Sequence, residues 1–247
     1  MERFRAWFRL GTFAGFSFYY ISKVALSALL LGDDRERALR IRQDWARRML
    51  VLLGIRLRQE GQIPEGNYLI LSNHRTYIDP VLILSHGLAS VVAKAEVSRW
   101  ALIGWGVRVS HVVLVQRQSR QSRQATRNSV QEWLESGFSL LIFPEGTTHA
   151  GPGTLPLKPG MFKLAAEHGF GIIPTAISYR EPGDAWVGDD TFIRHFLQCF
   201  AKPTTEVWVV YGQPIFGTDA QALQNQTQNW ITERLKIMDS SWTKPNP

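Results

Sequence analysis

In the stretch LILSNHRTYIDPVLIL, residues 69–84, a histidine and a carboxylate stand five positions apart, His74 and Asp79, between two apolar runs. Imidazole is the one side chain whose ordinary charge change falls near neutral pH. A histidine held by a carboxylate is an arrangement for general-base chemistry. The partner sets the tautomer and stabilises the imidazolium formed when the ring takes a proton. On a regular helix, residues five apart point about 140° away from one another. The two side chains can therefore meet only across an irregular segment. Pro80 supplies the break, because the residue before a proline avoids the helical region and proline suits the first helical position. The expectation is that His74 lies on a loop leaving a strand and Asp79 at the mouth of the next helix. One carboxylate oxygen would cap that helix and the other would hold the ring. A plain helix cap beside a plain loop histidine fits the same residues, and the pair alone leaves both readings open.

A second polar knot, FPEGTTHAG at 143–151, follows another apolar run. Pro144 and Gly146 shape a turn, Glu145 adds a carboxylate, and Thr147 and Thr148 offer hydroxyl and backbone donors. Between the knots, VLVQR ends in Arg117, which at the carboxyl end of a strand could grip a phosphate in bidentate fashion or simply face solvent. No G-x-S-x-G elbow occurs, so a base would act directly on a substrate hydroxyl. The single cysteine, Cys199 in FLQCFAKP, forms no internal disulfide and reads as a small buried apolar residue. It also points to a reducing compartment. Neither H-E-x-x-H nor a clustered His/Cys spacing supports a metal.

The elements that must position these groups follow from apolar patterning. With 247 residues, 45% hydrophobic and 20% charged, the chain is globular and large enough for a sizeable core. Strands are expected at 55–61, 67–72, 90–96, 111–117, 138–146, 170–179 and 205–215, and helices at 80–88, 122–137, 158–169 and 218–238. A long loop is expected at 180–190. This alternation predicts an α/β fold with a mixed, largely parallel sheet flanked by helices. Chemistry in such sheets collects beyond the carboxyl ends of strands, where both knots fall.

Residues 1–54 read as an N-terminal appendage to a catalytic domain at 55–247. Leu10 to Leu31 is apolar apart from Lys23, long enough to cross a bilayer although a central lysine costs about 3 kcal/mol there. The next segment places Ala38, Ile41, Trp45, Met49 and Leu52 at helical spacing, with Arg37, Arg40, Arg47 and Arg48 largely on other faces and Gly54 as a stop. A two-helix, monotopic membrane-associating segment is the expectation, a surface helix packed on a core the plainer one. The net charge of +7 is concentrated at 1–60 and 94–127, each +6, which calls for an anionic partner such as a lipid surface or a phosphate-bearing substrate. These zones do not interleave with aromatic stacking residues, so nucleic acid is not expected.

In order along the chain, NHRTYID, VVLVQR, FPEGTT and GIIPTAIS resemble the motif blocks of the glycerolipid acyltransferase family, best known for 1-acyl-glycerol-3-phosphate (lysophosphatidate) acyltransferases. The likeness spans roughly residues 67–180. It implies a membrane-associated enzyme on the cytoplasmic face that moves a fatty acyl group from acyl-CoA or acyl-carrier protein to a lysophospholipid hydroxyl, without a cofactor. It also implies His74 as the base and Asp79 as its support, with Asn73, Arg117, Glu145, Gly146 and Thr147 on the substrate side. Pro174 would shape the acyl-donor side, and Lys94 and Lys158 match positions that are commonly basic. Thr148 stands where the family pattern continues with arginine. That departure, with AWVGDDTF at 185–192, is similar to relatives that acylate lyso-ornithine lipid. The retained Arg117 makes lysophosphatidate the first-choice acceptor and a lyso-amino-acid lipid the alternative.

Overall fold

A computed structural model describes residues 1–99, 101–115 and 120–242. Two long helices come first, α1 (Glu2–Leu31) and α2 (Arg35–Leu53). The chain continues through β1 (Ile55–Glu60), β2 (Leu69–Ser72), α3 (Asp79–Leu84), β3 (Ala89–Lys94), α4 (Ala101–Val109), β4 (Val113–Val115), α5 (Arg120–Glu135) and β5 (Ser139–Ile142). Then come α6 (Gly160–His168), β6 (Ile172–Tyr179), α7 (Phe192–Cys199), β7 (Thr205–Tyr211) and α8 (Ala220–Trp242).

The strands form one sheet in the order β1-β7-β6-β2-β5-β3-β4. Every neighbouring pair is parallel except β6 with β7, so the mixed, largely parallel sheet expected from patterning is what forms. The central strands are apolar throughout because both their faces are covered, and successive side chains point to opposite faces. Ile70, Leu141 and Ile173 face a layer containing α2, α3 and α7. Leu69, Leu71, Leu140 and Ile142 face Val130 and Leu134 of α5 and Phe162 and Leu164 of α6. Each such fully buried aliphatic side chain contributes about 1.5–3 kcal/mol. Because β6, β2, β5 and β3 run the same way, their carboxyl ends share one edge, and both polar knots leave from it.

Several elements differ from expectation. The helix expected at 80–88 stops at Leu84, where Ser85 donates its hydroxyl back to Leu82 O at 2.6 Å and the chain turns. The strand expected at 111–117 is described only as Val113–Val115, and Arg117 lies outside the described residues. Helices α4 and α7 had no counterpart in the patterning. Two glycines obscure the helical signal in α4, and one of them has a packing reason: a Cβ on Gly106 would stand 2.8 Å from Ile21 of α1. The segment is a helix because α1 can close on it.

The first 54 residues are integral to the core. Ala46, Met49, Leu50 and Leu53 of α2 are buried in the same cluster as the sheet. Several arginines of α2 have partners within the fold. Arg40 pairs with Glu36 and Arg48 with Asp44, Arg47 donates to Ser85 O at 2.9 Å, and buried Arg42 donates to Ser110 O and Ala89 O. The large exposed apolar side chains belong mainly to α1, among them Phe4, Trp7, Phe8, Phe18, Tyr19 and Leu29. Its other side is pinned by polar contacts. Buried Arg9 donates to the carbonyls of Phe200 (3.2 Å), Lys202 (2.7 Å) and Pro203 (2.8 Å), just past the end of α7, and Arg5 donates to Ala201 O. A guanidinium suits that place, because the last carbonyls of a helix have no partners of their own.

Arg9→Ala would leave those carbonyls without their donor and is expected to destabilise the protein by roughly 2–4 kcal/mol. Thermal unfolding checks this; an unchanged Tm would mean that apolar packing alone holds α1.

Candidate active site

The loop that follows β2 is fastened before it reaches the histidine. Asn73, fully buried, donates from Nδ2 to Ile177 O (2.9 Å) and accepts the Ile177 N–H at Oδ1 (2.8 Å). Its amide is spent on the β6 backbone, so Asn73 positions the loop, and it is not on the cavity wall.

His74 comes next, and Asp79 is where the loop turns back. Asp79 is completely buried, and its Oδ2 accepts the backbone N–H groups of Arg75 (2.5 Å) and Thr76 (2.9 Å). Oδ1 accepts the Tyr179 hydroxyl at 2.8 Å. An oxygen that already accepts two N–H groups is an acceptor for the ring as well, so the His74 Nδ1–H donates to Oδ2 at 2.8 Å. This leaves Nε2 with a free lone pair, the tautomer a base needs. The ring lies against Phe143 at 4.0 Å between centroids with 15° between planes, which fixes its orientation. The expected meeting of His74 and Asp79 is therefore realised, but the carboxylate does not cap α3, whose N-cap is Ile78. It ties off the loop instead, because the 75–76 backbone donors are nearer than those of the helix.

Glu145 fills a similar role in the second knot. Oε2 accepts the His74 N–H at 3.1 Å and Oε1 the Leu155 N–H at 3.2 Å. Burial pushes its carboxyl up to about 7, against the opposing pull of those donors and Arg75. Buried and occupied, it spaces the two loops and is not on the cavity wall. Arg75 donates to His149 O (3.0 Å), Gly153 O (2.8 Å) and His149 Nε2 (2.7 Å). Burial, then the Arg75 charge, holds His149 below its ordinary value. Its Nε2 is thus an acceptor, and its 3.5 Å approach to Glu145 is not an ion pair. Gly146, at φ +78°, makes the turn that only a residue without Cβ adopts easily, and its N–H donates to Phe143 O at 3.1 Å. The Thr148 hydroxyl donates to Trp186 O, while the Trp186 N–H donates to Arg75 O at 2.9 Å. The 180–190 loop is thereby strapped to both knots.

His74 opens onto a cavity of about 640 Å³. Gly146, Thr147, Thr148, Lys94, Glu96 and Trp186 line it near the strand ends. The rest of the wall is mostly apolar: Phe13, Tyr20, Ile21 and Val24 of α1, Ile41 and Trp45 of α2, Pro80, Val81 and Leu84 of α3, and Val107 of α4. The spacing of α1 and α2 shows that they bury a face, but not that this face would wall a site some thirty or more residues further on. Two residues carried over from the motif blocks lie elsewhere. Lys158 is exposed and off the cavity, its N–H donating to Pro144 O at 3.0 Å. Pro174 is buried within β6 against Gly212 and is not on the cavity wall. Among the described residues no three His, Cys, Asp or Glu stand together in a way that would hold a metal ion.

The sequence matches the Acyltransferase family over residues 54–178. It is 31% identical over 199 residues to the lyso-ornithine lipid O-acyltransferase of Pseudomonas aeruginosa, covering 78% of this chain and 77% of that protein. It is 29% identical over 149 residues to the 1-acyl-sn-glycerol-3-phosphate acyltransferase of Neisseria meningitidis, covering 60% of this chain and 57% of that one. The fold is similar to the crystal structure of the 1-acyl-sn-glycerophosphate (LPA) acyltransferase PlsC from Thermotoga maritima, with a TM-score of 0.74 at 19% identity over 99% of this chain and 100% of that one.

Because folding raises the Glu145 pKa, the folded state holds more protons than the unfolded one between 4.5 and about 7. Its stabilising contribution is full below that window and declines as pH rises through it. The difference in unfolding free energy between wild type and Glu145→Gln should therefore shift against wild type from pH 4.5 to 7. A pH-independent difference would mean that Glu145 is ionised throughout.

Proposed function

The chain belongs to the Acyltransferase family, and from that premise we propose that it moves a fatty acyl group from a thioester donor to a lysolipid hydroxyl, with His74 as general base. The observation that carries this reading is the His74–Asp79 pair opening onto a long, largely apolar cavity. In the reaction, Nε2 takes the proton of the acceptor hydroxyl as its oxygen bonds to the thioester carbonyl carbon. The C–S bond then breaks, and the imidazolium returns the proton to the departing thiolate. Asp79 holds the ring and offsets its transient charge. The acyl chain has a natural place along the apolar wall. Acyl-CoA and acyl-carrier protein are the donors that fit this chemistry.

Two acceptors fit. Lysophosphatidate rests on Arg117, by analogy with the family block. A lyso-amino-acid lipid is favoured by Thr148, whose hydroxyl is committed to Trp186 O where the family pattern has a cation. Lys94 and Glu96 on the cavity wall offer one charge of each sign, which suits a zwitterionic headgroup. The Pseudomonas aeruginosa relative, whose name specifies lyso-ornithine lipid, agrees with this second reading. The aromatic outer surface of α1 supports a monotopic seat in the bilayer interface, on the cytoplasmic side where the donors are made. A spanning arrangement is disfavoured because α1 packs on α2, α4 and α7.

Purified protein given labelled acyl-CoA or acyl-carrier protein with a panel of lysolipids tests the assignment. His74→Ala should lower acyl transfer by about 10²–10⁴-fold while leaving vesicle binding intact; unaltered turnover would sink the base. Product from lysophosphatidate alone would establish the first acceptor, and product from lyso-ornithine lipid alone the second. Val107→Trp, which fills part of the cavity, should lower kcat/KM for long-chain donors at least about tenfold more than for short ones. Equal losses would place the acyl chain elsewhere.

A further inference from the structure

We infer that Tyr179, at the end of β6, is a positioning residue for the base: its hydroxyl fixes the rotation and the charge of the Asp79 carboxylate that orients His74. This inference rests on the reading of His74 as the base. Tyr179 is 100 positions from Asp79 in sequence and outside both polar knots, and only the sheet brings them together.

The donors to Asp79 are divided between its two oxygens. Oδ2 of Asp79 receives the His74 ring and the Arg75 and Thr76 amides, all from one short loop. Oδ1 receives the Tyr179 hydroxyl at 2.8 Å, from a different element. Contacts to Oδ2 alone would let the carboxylate turn about its Cβ–Cγ bond. The phenol on Oδ1 sets that angle and with it the line along which the ring is held. Asp79 itself has 0% exposure, so the donors it uses are those the fold supplies. The mounting is rigid as well. Ile177, whose backbone grips Asn73, lies two residues before Tyr179, so the two side chains share a face of β6. One strand thus fastens both the entry to the histidine loop and its far end.

The contact also sets charge. A hydroxyl donating to Oδ1 draws negative charge away from the oxygen that faces the imidazole, which tempers how strongly Asp79 favours imidazolium. Burial and the neighbouring Asp79 charge keep the phenol well above its ordinary value, so it remains a donor at working pH. The other ionisable groups facing this assembly are Arg75 and Glu145 beside Asp79, and Asp184 and Cys199 beside Tyr179.

Tyr179→Phe keeps the ring and removes the donor. It should lower kcat about tenfold, the rate equivalent of one hydrogen bond to a charged group, with KM for donor and acceptor within about twofold. The acid limb of the pH profile of kcat/KM should move upward, because the carboxylate then holds imidazolium more tightly. Tyr211→Phe is the control. It removes another buried hydroxyl, bonded to His86 Nδ1 at 2.7 Å away from the site, and should leave both readouts unchanged. Replacing Tyr179 by a fluorinated tyrosine, a stronger donor in the same shape, should move the acid limb the other way and serves if the phenylalanine variant folds poorly. A fall in kcat with an unmoved acid limb would make Tyr179 merely structural and overturn the inference, as would wild-type behaviour. Activity retained by His74→Ala would instead overturn the base itself, whereas an inactive His74→Ala beside a wild-type-like Tyr179→Phe would overturn this inference alone.

Discussion

Asp79 carries a carboxylate with no access to water, and leaving such a charge without donors would cost several kcal/mol. The fold answers with the His74 ring, the Arg75 and Thr76 amides and the Tyr179 hydroxyl. Much of the site's architecture follows from that need. The 73–78 loop curls because its amides must reach Oδ2. β6 runs alongside β2 in parallel, so that its last residue arrives at the same edge of the sheet. The same satisfied carboxylate holds the His74 ring in one orientation with Nε2 free.

Behind the histidine the second loop is organised by the same kind of compensation with a weaker outcome. Glu145 is buried among two backbone donors and the Arg75 charge, yet burial dominates and its carboxyl titrates near 7. Its work is geometric: it joins the His74 amide to the Leu155 amide and so sets the spacing of the two knots. Arg75 reaches past it to carbonyls at His149 and Gly153. The polar residues therefore form a layer that fixes loops, while the space in front of His74 is left mostly apolar.

The amino-terminal helices join that apolar space to a surface. One side of α1 and α2 completes the cavity wall, and the outer side of α1 exposes Trp7, Phe8, Phe18 and Tyr19. An arginine holds this arrangement where grease alone would leave it free to slide, because Arg9 engages carbonyls beyond α7 that have fixed positions. An exposed apolar exterior and a largely apolar interior are thus two sides of one helix pair.

The sequence by itself indicated the fold class and an irregular segment across which His74 and Asp79 could meet, since short apolar runs alternating with helix-length segments and a proline after Asp79 are local signals. Whether the two side chains do meet was decided by the structure. The sequence also marked residues 10–31 as a long apolar run and α2 as apolar on one side. What those faces pack against was decided by tertiary structure. Helix α4 was illegible because one of its glycines, Gly106, serves a contact with Ile21 some eighty residues earlier. That Asn73, Glu145 and Pro174 are buried, with the two polar side chains engaged by backbone groups, was also decided by tertiary structure, because a motif names residue types and not their surroundings. Tyr179 carries no local signal: a tyrosine at a strand end joins the His74–Asp79 assembly only when a parallel sheet brings its hydroxyl to a carboxylate a hundred residues away.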